Sequence, residues 1–153
     1  MPALAFAIGF VAGLRSMTAP AAVSWAAYLG WIDLHGTPLQ WIGSWVAVAV
    51  FSVGALAELV ADKLPKTRKR TAPGPLVVRV VLGGLAGASL SLSATGSWLM
   101  GGVLGGLGAV AGAFAGYEVR RRLVRALGTK DAPLAVVEDL VAIGLAYLVV
   151  LQA

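Results

Sequence analysis

The chain has no cysteine and a single histidine, His35. Thiolate nucleophiles, disulfide scaffolds and Cys-ligated metals are therefore excluded. His35 sits in a polar loop without a clustered second ligand, so neither a metal nor another cofactor is expected. Charge is scarce too. Twelve Lys plus Arg and 7 Asp plus Glu make up 12% of the 153 residues, against roughly 25% in soluble domains. Hydrophobic residues reach 59% and the mean hydropathy is +0.86. Too little polar surface remains to cover a water-soluble globule of this size. A cytosolic enzyme, a nucleic-acid-binding module and a disordered tail are all disfavoured, and an integral membrane protein in one domain, residues 1–153, is expected. Its fold class should be all-α, a polytopic helical bundle, because only helices or closed barrels satisfy backbone groups in lipid.

The placement of the bases explains a pI near 10.1 without a nucleic-acid partner. Lys63, Lys66, Arg68, Lys69 and Arg70 form one cluster; Arg120, Arg121, Arg122, Arg125 and Lys130 form another. Only Arg15 and Arg79 lie elsewhere. Clusters at the ends of apolar segments are what the positive-inside rule produces, so both loops are expected on the cytoplasmic side of a bacterial inner membrane. There they would meet anionic headgroups, at about 1 kcal/mol per residue. No basic region precedes the first apolar stretch, which therefore reads as mature protein rather than a signal peptide.

Five apolar segments follow one another. The first, from about Ala3 to Trp31, is interrupted at Gly13-Leu14-Arg15-Ser16-Met17-Thr18-Ala19-Pro20. The second runs from about Leu39 to Leu64 and stops before Pro65. The third starts near Pro75 and fades at Ser93, and the fourth runs from Ser97 past Tyr117 to Leu127, before Gly128. Asp131 is a suitable N-cap for the last, about Pro133 to Leu151. About five crossings, the first broken near Arg15, are the preferred topology. The alternative is a re-entrant hairpin of two half-helices, leaving about four full crossings. A weak internal repeat relates Gly9-Phe10-Val11-Ala12-Gly13 to Gly83-Gly84-Leu85-Ala86-Gly87, each followed by a Ser-Trp pair.

The segments Gly13 to Pro20, Glu58-Leu59-Val60-Ala61-Asp62-Lys63-Leu64-Pro65 and Glu138-Asp139 together resemble a widespread family of small bacterial membrane proteins known as a domain of unknown function. The resemblance covers essentially the whole chain. It implies an inner-membrane helical protein and supplies no activity, substrate or site residue.

Arg15 follows about a dozen apolar residues, placing it near mid-bilayer if the segment crosses. An arginine there costs at least ~2.5–3.5 kcal/mol on insertion scales and should have a partner. Ser16 or Thr18 can cap a half-helix beginning near Ala19-Pro20, whose free N–H groups would point where the guanidinium points. Such discontinuous helices bind anions near the midplane of transporters. The plainer alternative is that Arg15 pairs with a buried carboxylate and locks helices together.

Glu58, Arg79 and Glu138 fall at similar depth, each about 6–9 Å inside a helix end at 1.5 Å per residue. Asp62 shares a helix face with Glu58, Asp139 follows Glu138, and Glu118 precedes the Arg120 cluster. An interfacial salt-bridge network around Arg79 is one reading. A proton- or cation-coupling site, with Glu58 and Glu138 foremost, is the other. Gly108, Gly112 and Gly116 form a small-residue stripe suited to close helix packing, within the bundle or between copies. Trp25, Trp31, Trp41, Trp45 and Trp98 read as an aromatic belt. No nucleophile–base pair is evident, so an enzyme is not expected. The leading expectation is a small transporter or channel for an anionic solute or phosphate-bearing headgroup, working as a homo-oligomer, most simply a dimer. A membrane scaffold or lipid-organising module is the alternative.

Overall fold

A computed structural model describes residues 2–61, 73–94, 96–128 and 131–153, and among these the chain is all-helical, without strands. The order is α1 (Pro2–Leu14), α2 (Thr18–Tyr28), a 3-10 turn (Gln40–Gly43), α3 (Trp45–Ala61), α4 (Pro73–Ser93), α5 (Trp98–Leu127) and α6 (Asp131–Leu151). Asp62, the bases from Lys63 to Arg70 and Lys130 lie outside the described residues, as does the side chain of Asp131.

Local chemistry sets several boundaries. The Ser97 hydroxyl accepts from the Met100 N–H at 3.4 Å and opens α5, while Gly128 at φ 58° closes it in the left-handed region that favours glycine. The second apolar segment starts later than expected. Its first residues make the 3-10 turn, Ser44 turns extended (ψ 153°), and its hydroxyl accepts from the Ala47 N–H at 3.2 Å. A capping serine thus begins the helix at Trp45 rather than Leu39.

The first segment does break at Arg15, and there the chain reverses. Gly13 and Ala12 of α1 lie against Arg79 and Gly83 of α4, so these two helices run antiparallel. Glu58 of α3 faces Arg79, and Phe51 packs in a cluster with Leu82 and Leu85, so α3 and α4 also run antiparallel. Met17 of the turn lies against Gly54, whereas Ala27 near the end of α2 lies against Gly43, so α2 runs opposite to α3. It follows that α1 and α2 point in opposite directions. The favoured reading of one interrupted crossing is therefore replaced by a hairpin. Its arms splay, α1 packing on α4, α5 and α6 while α2 packs on α3, α4, α6 and the 3-10 turn. The arms of 13 and 11 residues are about 20 and 16 Å long, both short of a ~30 Å hydrocarbon core.

Glycine explains why α1, α4 and α5 come so close. A Cβ at Gly9 or Gly105 would fall on the backbone of the facing helix, Gly105 against Gly83 and Gly87 of α4, and Gly9 against Gly105. Gly108 and Gly112 approach the Phe6 and Phe10 carbonyls of α1 in the same way. Gly116 is half-buried one turn further on. Both halves of the sequence repeat, Gly9–Gly13 and Gly83–Gly87, thus pack on α5, but α1 runs parallel to it and α4 antiparallel.

The bundle has two chemically distinct ends. Trp25, Trp31, Trp41, Trp45 and Trp98 gather at the end where α2 finishes and α3 and α5 begin. Arg120, Arg121, Arg122 and Arg125 lie at the opposite end, on the last turns of α5. The hairpin tip points toward this basic end and stops at the level of Arg79, six residues or about 9 Å along α4. Among the described residues, Pro73–Ser93 and Trp98–Ala126 are long and apolar enough to cross a membrane.

Candidate charged site at the hairpin tip

Breaking a helix inside a packed bundle leaves carbonyls at one end and N–H groups at the other without intrahelical partners. Residues 15–17 create such a break, and each of its ends is met by a charge from another helix. No side chain of the N-cap residue Met17 caps α2. Glu58 of α3 does so instead. Its Oε1 accepts from the Ser16 N–H at 2.9 Å and the Ser16 hydroxyl at 2.8 Å, and its Oε2 accepts from the Met17 N–H at 3.0 Å. The carboxylate sits at the positive dipole end of α2, where a negative charge is stabilised. The Arg79 guanidinium of α4 performs the complementary task at the end of α1. It donates to the Gly13 carbonyl at 2.7 Å and the Ala12 carbonyl at 3.4 Å. Arg79 and Glu58 approach to 3.7 Å, so the two caps are themselves an ion pair.

Arg15 continues α1 by one hydrogen bond, its N–H donating to the Val11 carbonyl at 2.7 Å. Its guanidinium turns to the other side of the tip and pairs with Asp139 of α6. Arg15 is 1% exposed and Arg79 5%. Burial of this kind is costly unless each charge has a partner. Two acids and two bases, three of them from α3, α4 and α6 and one from the turn itself, thus meet at the break.

The sequence placed most of these groups at a common depth but not their pairing. Arg15, Ser16, Glu58, Arg79 and Asp139 converge. Glu138, the neighbour of Asp139, instead faces Arg120 of α5 at 3.7 Å. Glu118 is further away, pairing along its own helix with Arg121 at 3.1 Å and Arg122 at 2.9 Å on a more exposed surface. Thr18 stands in the first turn of α2 and lines an apolar groove rather than capping the helix. The backbone acceptors of Arg79 went unforeseen, although a helix ending at Gly13-Leu14 must leave carbonyls for some donor. Arg79, the one other base away from the clusters, was that signal.

Residues 3–152 match the family described as Domain of unknown function (DUF4126). The chain belongs to that family. The match spans all six helices and hence every residue at the tip, and it carries no assigned activity. No curated protein and no solved structure matches the chain.

Proposed function

We propose that this protein is a small transporter or channel of the bacterial inner membrane, moving an anionic solute or a phosphate-bearing headgroup through the site at the hairpin tip. In this reading α3, α4, α5 and α6 cross the bilayer, with the tryptophans at the outer interface and the bases on the cytoplasmic side. The α1–α2 hairpin enters from the outer side and turns back inside the membrane. Non-helical backbone at that depth is tolerated where protein or a cavity surrounds it.

One observation supports the reading most: three donors at the start of α2 converge on a carboxylate that comes from a different helix. A set of donors that holds Glu58 is suited to other oxyanions of similar size. Glu58 then acts as a built-in occupant. When it shifts onto Arg79, the Ser16 and Met17 donors are vacated for a passing anion, with Arg15 supplying positive charge nearby. Asp139, Glu138 and Glu118 belong to the surrounding charge network. A chain this short offers little wall for a solute pathway, so a homo-oligomer, most simply a dimer, completes it.

The test is flux in proteoliposomes across a panel of inorganic and organic anions, comparing wild type with Arg15→Ala and Glu58→Gln. Glutamine offers one acceptor oxygen where the carboxylate offers two, and it does not ionise. Glu58→Gln is expected to change anion flux about tenfold, and Arg15→Ala to reduce flux. Equal leak in all three, with each protein folded, overturns transport. The second reading, a scaffold or lipid-organising module, is favoured by the way both acids and both bases find partners inside the bundle. It predicts that equal leak.

A further inference from the structure

Beyond α2 the chain turns twice before the 3-10 turn, with Gly30 (φ 77°) and Gly36 (φ 76°) in the left-handed region that such turns require. Side chains brace the loop between them. His35 N–H donates to Asp33 Oδ1 at 2.9 Å, the Thr37 hydroxyl to the Leu34 carbonyl at 2.7 Å, and Gly36 N–H to Gln40 Oε1 at 3.1 Å. Side chains alternate along it, Ile32 and Leu34 being buried while Asp33 and His35 are exposed. The loop borders a cavity of about 520 Å³, within the ~300–1,000 Å³ of small-molecule sites. Ile32 and Leu34 give it an apolar floor, and Tyr28, Asp33, His35 and Gln40 give it a polar rim.

The sign of the charge at this cavity is decided by position. Asp33 is the one charged residue between Arg15 and Glu58, and none lies between Arg79 and Glu118 or after Asp139. Among the described residues the tryptophan end of the bundle therefore carries a single charged side chain, and it is an acid. Unlike Glu58, this carboxylate is not consumed by donors from another helix. One of its oxygens accepts from the His35 N–H, and the other accepts no hydrogen bond among the described residues. Tyr28 lines the same cavity, its ring set edge to face against Trp25 with centroids 6.2 Å apart. An aromatic face of this kind attracts cations.

We infer that this cavity binds a primary ammonium group carried on a short hydrocarbon body. Asp33 supplies the opposite charge, the Tyr28 ring adds its attraction for a cation, and the His35 imidazole and Gln40 carbonyl oxygen offer acceptors for further N–H groups. Ile32 and Leu34 take the hydrocarbon. An anion would face the carboxylate, and a bare metal ion would fill little of the volume and leave the apolar floor unused. Free amines and the headgroup of an ethanolamine phospholipid share this chemistry. The inference is independent of transport, because Tyr28 lies ten residues along α2 from Thr18, about 15 Å from the hairpin tip.

His35 is the single histidine, so one imidazole resonance reports on the cavity. The experiment is NMR of histidine-labelled protein in non-ionic micelles at constant pH, titrated with butylammonium, with ammonium, which lacks the body, and with butanol, which lacks the charge. Butylammonium should shift the resonance saturably, and the other two should bind about tenfold more weakly. Asp33→Asn keeps an acceptor oxygen for the His35 N–H and removes only the charge, so the loop should hold while affinity falls about tenfold. Tyr28→Leu should weaken binding about threefold. No saturable shift in wild type, or equal affinity in Asp33→Asn, overturns the site. Equal binding of butanol overturns the role of the charge, and equal binding of ammonium overturns that of the floor. Nanodiscs of phosphatidylethanolamine and of phosphatidylglycerol separate the two sources. A resonance already shifted in the first alone, and unmoved by added butylammonium, assigns the lipid headgroup. Equal titration by butylammonium in both assigns a free amine.

Discussion

Helices α1, α4 and α5 meet backbone against backbone, whereas α2, α3 and α6 join them through side chains, above all the charges at the hairpin tip. In the first group glycines remove the side chains that would hold the helices apart, and van der Waals contact is made along the main chain itself. In the second, α3 turns Val50, Val53, Leu56 and Val60 outward, and α6 likewise exposes Leu140 and Leu148. Their polar ties to the hairpin tip are Glu58 and Asp139, beside apolar packing of Ala47 and Phe51 against Ala21 and of Ala142 and Ala146 in the core around Ile8 and Val11. Close backbone packing has one geometry and no slack. An ion pair between helices can break and re-form as those helices shift. The molecule therefore combines a half held by close backbone contact with a half held by apolar side chains and by buried charge at the tip.

The largest effect that would break this contrast comes from removing one charge of a buried pair. Asp139→Ala leaves the Arg15 guanidinium, 1% exposed, without its carboxylate on α6. The expected loss is about 3–5 kcal/mol. The double variant Arg15→Met with Asp139→Leu should recover most of that, because an apolar pair of similar volume carries no desolvation penalty. Reversible unfolding in mixed micelles over the full cycle measures the coupling. If both singles and the double fall within experimental scatter of wild type, the tip does not join the halves.

The glycine half should respond to shape rather than charge. A Cβ at Gly105 would fall on the Gly83 carbonyl, with the Gly87 Cα 3.1 Å away. Neither can retreat without parting α4 from α5. A Cβ at Gly102, on the same helix, meets no atom closer than the Gly84 carbonyl oxygen at 3.7 Å. Gly105→Ala is expected to cost about 1–3 kcal/mol, while Gly102→Ala should be near neutral. Thermal unfolding of the two variants in one detergent checks the difference. Similar losses at both positions would mean that helix spacing, and not these contacts, governs the glycine half.

The break at Arg15 was legible in the sequence. A buried arginine is costly in an apolar run, and a proline five residues later cannot continue the helix that precedes it. The ends of α5 at Ser97 and Gly128 follow ordinary capping rules. The reversal of the chain was less legible, because hairpin arms and crossing helices share one apolar composition, and arm length alone separates them. The site shows the same limit. Serine or threonine capping is a local rule, and it suggested Ser16 or Thr18 for the start of α2. The cap comes instead from Glu58, 42 residues away in sequence from Ser16. Likewise Asp139, and not its neighbour Glu138, meets Arg15, since one step along a helix turns a side chain by about 100°. Depth can be counted from a helix end. The partner across the bundle depends on helix rotation, which a glycine-rich sequence barely constrains.

The smallest expected effect has the opposite sign and isolates the half held by side chains. Gly144 lies within α6, and a Cβ there would meet nothing within 4 Å. At such a place glycine contributes no close approach and only adds freedom to the unfolded chain. Gly144→Ala should therefore stabilise the protein by about 0.5–1 kcal/mol, where the same substitution at Gly105 destabilises it. The measurement is the shift in unfolding midpoint under identical conditions. A gain confirms that this face of α6 is open to its surroundings. A loss comparable to that of Gly105→Ala would mean that something packs against Gly144 as closely as α4 packs against α5. A second copy of the chain would then be the first partner to test by cross-linking from α6.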